Sequence, residues 1–337
     1  MRFPPEWEKH ERTWIAFPSS GYTLGETEVE MQAARQTWAN VANAASEFEK
    51  VSCVINPGDQ KIAKKFLSSE IELVEIEIDD AWIRDSGPSF VVHKGELRAV
   101  NWVFNGWGAQ GWANYKKDAK LATAIADRLE VPVIDSDLVN EGGGFHVDAA
   151  GNVLLTKTVQ LGKERNPNWS KEQVEEEIHS KLGTKNAIWL ERGLTRDYDD
   201  FGTKGHVDIV ACFAPDGRVL IHDQQNPNHP DYMVSAEVRE LFISMGKQVV
   251  SIPAPEALKD SHGFVDYSYI NHYVLNDAVL LCAFGEKRDQ DVKAMLRDIY
   301  PGREIMLIDA RELFARGGGI HCITQQQPET TKEGKVS

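Results

Sequence analysis

The chain has 337 residues, which is enough for one large domain or for two smaller ones. Its formal net charge of -15 disfavours a nucleic-acid partner, because phosphate binding requires a surplus of Lys and Arg on some face. The N-terminus has no signal-peptide pattern, and no window supplies about 18 uninterrupted apolar residues. We therefore expect a soluble, cytoplasmic protein with no membrane or nucleic-acid partner.

Segments with strand and helix patterns alternate along the whole chain, which predicts an α/β fold. The predicted strands are ERTWIAFP, KVSCVINP, IELVEIEI, the hairpin SFVVHKGELRAVNWVF, VPVI, NVLLTKTV, NAIWLE, the hairpin DIVACFAPDGRVLIHD, KQVVSIP, YVLNDAVLLCAF and REIMLID. The predicted helices span 28–49, 59–67, 116–129, 171–182 (with a capping box of Ser170 and Gln173), 233–245 and 289–300. No linker divides the chain, so we expect one domain over 1–328 and a polar, disordered tail over 329–337.

The four cysteines, Cys53, Cys212, Cys282 and Cys322, lie far apart and form no CxxC pair. This spacing argues against a zinc ribbon and against a disulfide framework. The first three lie in apolar strand patterns and are predicted to be small buried hydrophobes. Cys322 differs, because it follows three consecutive glycines and His321. Glycine is used where the backbone takes unusual dihedrals or approaches another group closely, so Cys322 is a candidate nucleophile.

Three segments repeat a glycine, a histidine and a reactive or acidic residue in close order. They are EGGGFHVD (141–148), KGHVD (204–208) and RGGGIHC (316–322). The first two lead into hairpins whose return strands are NVLLT and RVLIH. Repeated units of this kind predict a circular α/β arrangement in which equivalent loops point at a common centre.

A nucleophilic cysteine needs a partner that handles protons, and His206 is the preferred candidate. Asp208 lies two residues further on and would share a strand face with it. His321 is disfavoured, because in an extended segment its side chain points away from that of Cys322. Asp85, at an expected strand end before Ser-Gly-Pro, and Glu141, before three glycines, add two carboxylates that would orient the histidine or bind substrate.

A thiol, a histidine and three carboxylates suit a guanidinium group, which is planar, cationic and able to pair with carboxylates through several N–H donors. Thiol attack on the central carbon, loss of ammonia and hydrolysis would give a ureido product. One alternative treats His146, Asp148, His206 and Asp208 as ligands of a metal-dependent hydrolase, although no HExxH-type pattern is present. Amidino transfer to an amine and binding without turnover are further alternatives.

At these residues the sequence resembles the agmatine deiminase and bacterial peptidylarginine deiminase family. The matching segments are PPEWEKHERTWIAFP, DDAWIRDSGPSF, NWVFNGWG, NEGGGFHVDAAGNVLLT, GHVD, SYINHY and GGGIHCITQQQP. The resemblance implies a pentein fold, which is a five-bladed α/β propeller with pseudo-five-fold repeats. It also implies a deiminase that needs no metal or organic cofactor and converts a small cationic guanidino substrate, agmatine first, to N-carbamoylputrescine and ammonia.

The resemblance assigns roles to individual residues. Cys322 would be the nucleophile, His206 the general acid and base, and Glu141 a supporting catalytic group. The implied substrate-binding residues are Asp85, Asp208, Trp107, Asn271 and Gly319. A homodimer is a further expectation.

The segment FGTKGHVDI, residues 201–209, departs from the family pattern DETNGHVDN. Gly202 replaces an acid, Ile209 replaces an amide, and Lys204 adds a positive charge. These changes leave the far end of the substrate open between the ammonium of agmatine and a carboxylate that Lys204 would favour. Trp102, Phe104 and Trp107 would form either an aromatic wall for a methylene chain or part of the core.

Overall fold

A computed structural model describes residues 1–330, and its strands group into sheets with a repeated pattern. The strands β1 to β18, in chain order, are His10–Ala16, Val51–Ile55, Glu72–Glu75, Ser89–His93, Glu96–Val103, Val133–Val139, Phe145–Val147, Asn152–Thr156, Asn186–Leu190, Ala211–Phe213, Val219–Asp223, Val249–Pro253, Lys259–Asp260, Gly263–Phe264, Tyr273–Val274, Ala278–Ala283, Glu304–Asp309 and Thr324–Pro328. Of the predicted tail, residues 331–337 lie outside the described residues.

Long helices connect strands within these sheets. Within residues 1–330 they are Glu28–Ser46, Leu121–Leu129, Lys171–Leu182, Asp231–Ser244 and Arg288–Ile299. The short α-helical segments are Gly21–Leu24, Gln60–Ala63, Ile83–Ser86, Gly106–Ala109, Lys157–Gln160 and Arg311–Phe314. The 3₁₀ segments are Asp118–Lys120, Gly142–Gly144, Arg196–Tyr198, Val207–Ile209 and His321–Ile323.

Over the described residues, five sheets share one arrangement of three strands, to which the fifth sheet adds the parallel strand β3. Four of them are β4-β5-β6, β7-β8-β9, β10-β11-β12 and β15-β16-β17, and the fifth is β18-β1-β2-β3. In each sheet two antiparallel strands are followed by a long helix and then by a parallel third strand. A separate ribbon consists of β13 and β14. The fold is therefore α/β, as the alternating sequence patterns predict.

The fifth sheet joins the two ends of the described chain. The C-terminal strand β18 pairs antiparallel with the N-terminal strand β1, with Trp14 opposite Gln325. The indole of Trp14 donates to Gln327 Oε1 at 2.9 Å. The strand β18 is therefore the first strand of the fifth sheet. The segment that carries Cys322 directly precedes it, as other turns directly precede the first strands of the other four sheets.

The central strands are buried on both faces, because helices cover these sheets and their sequences are nearly continuous apolar runs. All six residues of Ala278–Ala283 are buried. A large apolar cluster extends from Trp14 to Ile323, and a second contains Phe3, Val100 and Trp102. Cys53, Cys212 and Cys282 are buried in the first cluster, as predicted.

Local turn chemistry was predicted well at three places. The two predicted hairpins are present and turn at Lys94-Gly95 and Asp216-Gly217, with positive φ at both glycines. Ser170 and Gln173 form the capping box at the start of Lys171–Leu182. Among residues 1–330, no helix combines the length and apolar composition that are needed to span a membrane.

Other element predictions are wrong in extent. YVLNDAVLLCAF is a hairpin of β15 and β16, because Asn276 and Asp277 favour a turn. NVLLTKTV leaves the strand after Thr156 and becomes the helical segment Lys157–Gln160. The strand predicted in IELVEIEI is limited to Glu72–Glu75, and the helix predicted over 59–67 is limited to Gln60–Ala63.

Candidate active site

Each of the five sheets is preceded by a turn that carries predicted site residues. The residues in these turns are Asp85 before β4, Glu141 before β7, His206 and Asp208 before β10, Asn271 before β15 and Cys322 before β18. Most of these turns are helical, which corrects the sequence interpretation. Asp85 lies in the helical turn Ile83–Ser86 instead of at a strand end, and Asp208 lies in a 3₁₀ turn instead of on a strand.

The thiol of Cys322 lies in a buried polar environment. Its Sγ atom is 3.3 Å from Asn271 Nδ2 and 3.5 Å from Asp208 Oδ2. Burial and the neighbouring carboxylates of Asp208 and Asp85 raise the pKa of this thiol well above its usual range. The free protein therefore holds Cys322 as a neutral thiol at pH 7.

The Asp85 carboxylate is held by two donors from other turns. Oδ1 accepts from the backbone N–H of Gly143 at 2.9 Å, and Oδ2 accepts from the indole of Trp107 at 2.8 Å. Burial raises the pKa of Asp85, although the nearby imidazole of His206 opposes the shift. Asp85 forms no ion pair with its neighbour Arg84, whose guanidinium lies 3.3 Å from Glu6 Oε2 instead.

His206 lies between carboxylates without a close hydrogen bond. Its Nε2 is 3.5 Å from Glu141 Oε2, and its Nδ1 is 3.9 Å from Asp85 Oδ1. Within the described part of the chain, neither ring nitrogen has a hydrogen-bond partner. Burial alone would lower the pKa of His206, but Asp85, Glu141 and Asp208 raise it to about 9. The imidazole is therefore a cation at pH 7 with both N–H groups unused.

Two glycines let the backbone approach these groups closely. A Cβ atom at Gly143 would lie 2.5 Å from His206 Nδ1 and 3.0 Å from both Asp85 Oδ1 and Asp208 Oδ2. A Cβ atom at Gly319 would lie 2.4 Å from Asn271 Oδ1. Both contacts are too short for any side chain, so the predicted role of glycine in close approach is confirmed at these two positions.

Glu141 has a partner that the sequence did not indicate. Its carboxylate accepts from Arg165 Nε at 2.9 and 3.1 Å, and both side chains are buried. Burial favours the neutral acid, but the Arg165 guanidinium holds the pKa of Glu141 below its usual range. Arg165 also donates to the Thr203 carbonyl at 2.7 Å, so it ties Glu141 to the loop that precedes His206.

The prediction that the His321 side chain points away from that of Cys322 in an extended segment is wrong. Residues His321–Ile323 form a 3₁₀ turn and not an extended strand, so adjacent side chains do not point to opposite faces. The Nδ1 atom of His321 lies 2.8 Å from Asp208 Oδ2, which is also the carboxylate oxygen next to Cys322. Its Nε2 atom lies 3.0 Å from Glu6 Oε2, a residue that the motif analysis did not single out.

The four residues of the alternative metal site are not assembled. His146 Nδ1 accepts from the Phe213 backbone at 3.2 Å, and Asp148 accepts from the backbone of Ala150 and Asn152 in a hairpin turn. Across residues 1–330, no group of three or more His, Cys, Asp and Glu side chains is placed to hold a metal ion.

The aromatic residues of NWVFNGWG divide between the core and the site. Trp102 packs in the second apolar cluster and donates to Ser89 Oγ. Trp107 contacts Asp85 and stacks on Trp112, with ring centroids 5.5 Å apart. Phe104 packs edge-on against Trp107. Only Trp107 of the three therefore contacts a predicted site carboxylate.

The fold and the site define an α/β protein with a buried thiol, imidazole and carboxylate centre formed by equivalent turns. The family model of the Porphyromonas-type peptidyl-arginine deiminases matches residues 2–328. The chain belongs to this family. The match to the family model therefore covers all five sheets and every residue of the site.

Relatives in sequence and structure cover nearly the whole chain. A Streptomyces coelicolor protein provisionally named an agmatine deiminase is 53% identical over 338 residues, covering 98% of this chain and 99% of that protein. The agmatine deiminase of Medicago truncatula is 34% identical over 366 residues, covering 97% and 96%. The structure of the agmatine deiminase of Enterococcus faecalis superposes with a TM-score of 0.90 at 30% identity, covering 97% and 96%.

Proposed function

We propose that this protein is an agmatine deiminase, an iminohydrolase that converts agmatine and water to N-carbamoylputrescine and ammonia. The observation that carries the proposal is the convergence of Cys322, His206, Asp85 and Asp208 on one buried centre beside Gly143. Relatives named agmatine deiminases over the full chain support it. A guanidinium bound among these side chains would meet two carboxylates with its N–H groups and the thiol with its carbon.

The first half of the reaction uses Cys322 as the nucleophile. The substrate cation offsets the negative charges of Asp85 and Asp208, which favours the thiolate, and the thiol proton passes to solvent. The thiolate forms a bond to the guanidinium carbon and gives a neutral tetrahedral adduct. The His206 imidazolium donates a proton to one nitrogen, the C–N bond breaks, and ammonia leaves an amidino-thioester cation.

The second half returns the enzyme to its starting state. Neutral His206 accepts a proton from water, and the hydroxide adds to the amidino carbon. The C–S bond breaks with its electron pair on sulfur, which releases the thiolate beside the imidazolium, and the thiolate regains a proton from solvent when the product leaves. The remaining proton is taken by ammonia, so the products are a ureido compound and ammonium. Glu141 stabilises the imidazolium through its carboxylate, 3.5 Å from Nε2.

The acidic lining of a cleft near the site supports a substrate whose far end is a cation. A cleft of about 320 Å³ lies beside Gly202 and Gly317 and includes Asp199, Asp200 and Asp266. Arg196, which also lines it, is paired with Asp260 at 2.6 Å. Lys204 Nζ donates to the carbonyls of Tyr198 and Asp199 at 2.9 and 2.6 Å. The carboxylates of this cleft therefore favour the ammonium of agmatine over a carboxylate-ended guanidine.

The larger organisation is also part of the proposal. We propose that the five sheets are blades of a propeller with pseudo-five-fold repeats, because their preceding turns supply the site residues from equivalent positions. One catalytic domain over 1–328, a homodimer, a cytoplasmic location and activity without a cofactor stay predictions from the sequence.

The test measures ammonia release and product mass on agmatine, arginine, guanidinobutyrate and guanidinopropionate, with Cys322→Ala as the blank. We expect turnover of agmatine and none by the variant, with activity unchanged by a chelator. Turnover of carboxylate-ended guanidines only would keep the chemistry and contradict agmatine as the substrate. Product that forms only when an amine acceptor is added would support amidino transfer instead.

A further inference from the structure

Four buried side chains form a row of alternating charges that ends at the site. Arg84 Nη2 lies 3.3 Å from Glu6 Oε2, and the same oxygen lies 3.0 Å from His321 Nε2. His321 Nδ1 lies 2.8 Å from Asp208 Oδ2. Each of the four is at most 6% exposed. The proposed function uses Asp208 but assigns no role to the other three.

The geometry of His321 determines its protonation. A neutral imidazole carries one N–H, so it cannot donate to two ionised carboxylates at once. Glu6 is held as an anion, because Oε1 accepts from the Val274 backbone at 2.7 Å and Oε2 faces Arg84. With Asp208 also ionised, both contacts of His321 require the imidazolium.

The contact with His321 leaves the two oxygens of Asp208 in different states. Oδ2 receives the His321 hydrogen bond and lies 3.5 Å from Cys322 Sγ. Among the residues that the structure describes, Oδ1 is buried and has no hydrogen-bond partner. A buried oxygen without a donor is costly, so this atom is available for a donor that the chain does not supply.

We propose that His321 is a positioning residue, which anchors Oδ2 of Asp208 so that Oδ1 accepts from the substrate guanidinium. Glu6 and Arg84 hold the imidazolium in place, and Arg84 also donates to the His321 carbonyl at 3.2 Å. The inference rests on the proposed function, because the guanidinium is the donor for Oδ1. It predicts that the Nδ1–H of His321 matters more for binding than its Nε2–H.

Two isosteric variants separate these N–H groups. In His321→Asn the amide nitrogen takes the place of Nδ1 and still reaches Asp208. In His321→Gln it takes the place of Nε2 and reaches Glu6. Both remove the ring and its charge, so each is the control of the other for general loss of packing.

The measurement is calorimetric affinity for agmatine in the Cys322→Ala background, where no turnover occurs. A hydrogen bond to a charged group contributes about 1.5–3 kcal/mol, so His321→Gln should weaken binding by about tenfold to a hundredfold. His321→Asn should retain most of the affinity. In the proteins that keep Cys322, the loss should appear mainly in KM. Equal affinity in both variants, whether high or low, would overturn the proposal.

A second measurement does not depend on a folded variant. Ring ¹⁵N chemical shifts of His321 in the Cys322→Ala protein at pH 7.5 should be those of an imidazolium, and a neutral ring would overturn the proposal. The proposed function fails separately, if the unaltered protein neither turns over nor binds agmatine. The ring shifts then still decide whether the row of alternating charges exists.

Discussion

The indole N–H of Trp107 donates to Asp85 Oδ2 at 2.8 Å, and the other oxygen of Asp85 faces His206. Oδ1 lies 3.9 Å from His206 Nδ1 and accepts from Gly143. Trp107 itself has a left-handed backbone, with φ at 56°, and stacks on Trp112. The aromatic residue therefore orients a carboxylate as well as filling space.

We expect Trp107→Phe to keep the ring contacts and lose this hydrogen bond. A hydrogen bond to a charged group contributes about 1.5–3 kcal/mol, so kcat/KM for agmatine should fall by about tenfold to a hundredfold. Steady-state kinetics measures the change. Trp189→Phe is the matched control, because its indole donates to a carboxylate, Glu175, outside the site. Equal effects of both variants would contradict the assigned role of Trp107.

The raised pKa of Cys322 predicts a thiol that resists alkylation in the free protein. Burial and the carboxylates of Asp208 and Asp85 keep it protonated, and only the thiolate reacts. Between pH 7 and 9 we expect iodoacetamide to modify Cys322 far more slowly in the folded protein than in the urea-unfolded chain, where the pKa of a thiol is about 8.5. Peptide mass spectrometry gives the rates. A midpoint below pH 8 in the pH dependence of the folded-state alkylation rate would contradict the raised pKa of Cys322.

The parts of the site that lie next to glycine were predictable from the sequence. The runs before His206 and Cys322 and the run after Glu141 combine glycine with a reactive side chain, and each marks a turn before the first strand of a sheet. Glycine is needed at 143 because a Cβ atom there would lie too close to His206 and to the two aspartates. The requirement for close approach is thus visible in the composition of the turn itself.

Partners that come from distant segments were not predictable. Glu6 and His321 are separated by 315 residues, and Arg165 and Glu141 by 24, with no shared motif or period. A single sequence shows which residues can carry a charge, but buried ion pairs depend on how the sheets pack. The position of the His321 side chain was not predictable either, because the residues of this segment do not distinguish the 3₁₀ turn from an extended strand.

The ion pair of Arg165 and Glu141 gives a stability prediction. Both side chains are at most 2% exposed, and removal of one partner leaves a buried charge that costs about 3–5 kcal/mol. Arg165→Met should therefore lower Tm strongly in scanning calorimetry. Arg192→Met is the control, because its pair with Glu237 is 42% and 43% exposed and should contribute at most about 1 kcal/mol. Similar Tm values for the two variants would contradict the prediction.

The carboxylate of Glu141 should control the titration of His206. The pKa of His206 is raised to about 9, with Glu141, Asp85 and Asp208 opposing the effect of burial. We expect the His206 ring signals in an NMR titration to move with a midpoint near 9, and Glu141→Gln to lower that midpoint. Glu237→Gln, which also loses a carboxylate paired with an arginine, should leave it unchanged.

The raised pKa of His206 should make the stability of the folded protein depend on pH. The pKa of His206 in the folded protein lies above its unfolded value of about 6.5, so folding takes up a proton. This contribution to stability is complete below pH 6.5 and is lost as pH rises through 9. The fall in Tm across that range should be smaller for Glu141→Gln than for the unaltered protein. A larger fall in the variant would reverse the sign and refute the assignment.

We expect Asp266 to contribute to the binding of the far end of the substrate and Lys204 to make no contribution. The ammonium of Lys204 is bound to two loop carbonyls, so Lys204→Met should leave the preference for agmatine over guanidinobutyrate unchanged.

Asp266 lines the cleft beside Gly202, and burial, together with Asp197, raises its pKa to about 7. Its ionised form attracts a cation, so KM for agmatine should fall as pH rises through 7, and Asp266→Asn should raise KM and remove that dependence. Asp216→Asn, in a hairpin turn, is the control. If Lys204→Met instead favours agmatine further while Asp266→Asn has no effect, the lysine faces the substrate and the acid does not.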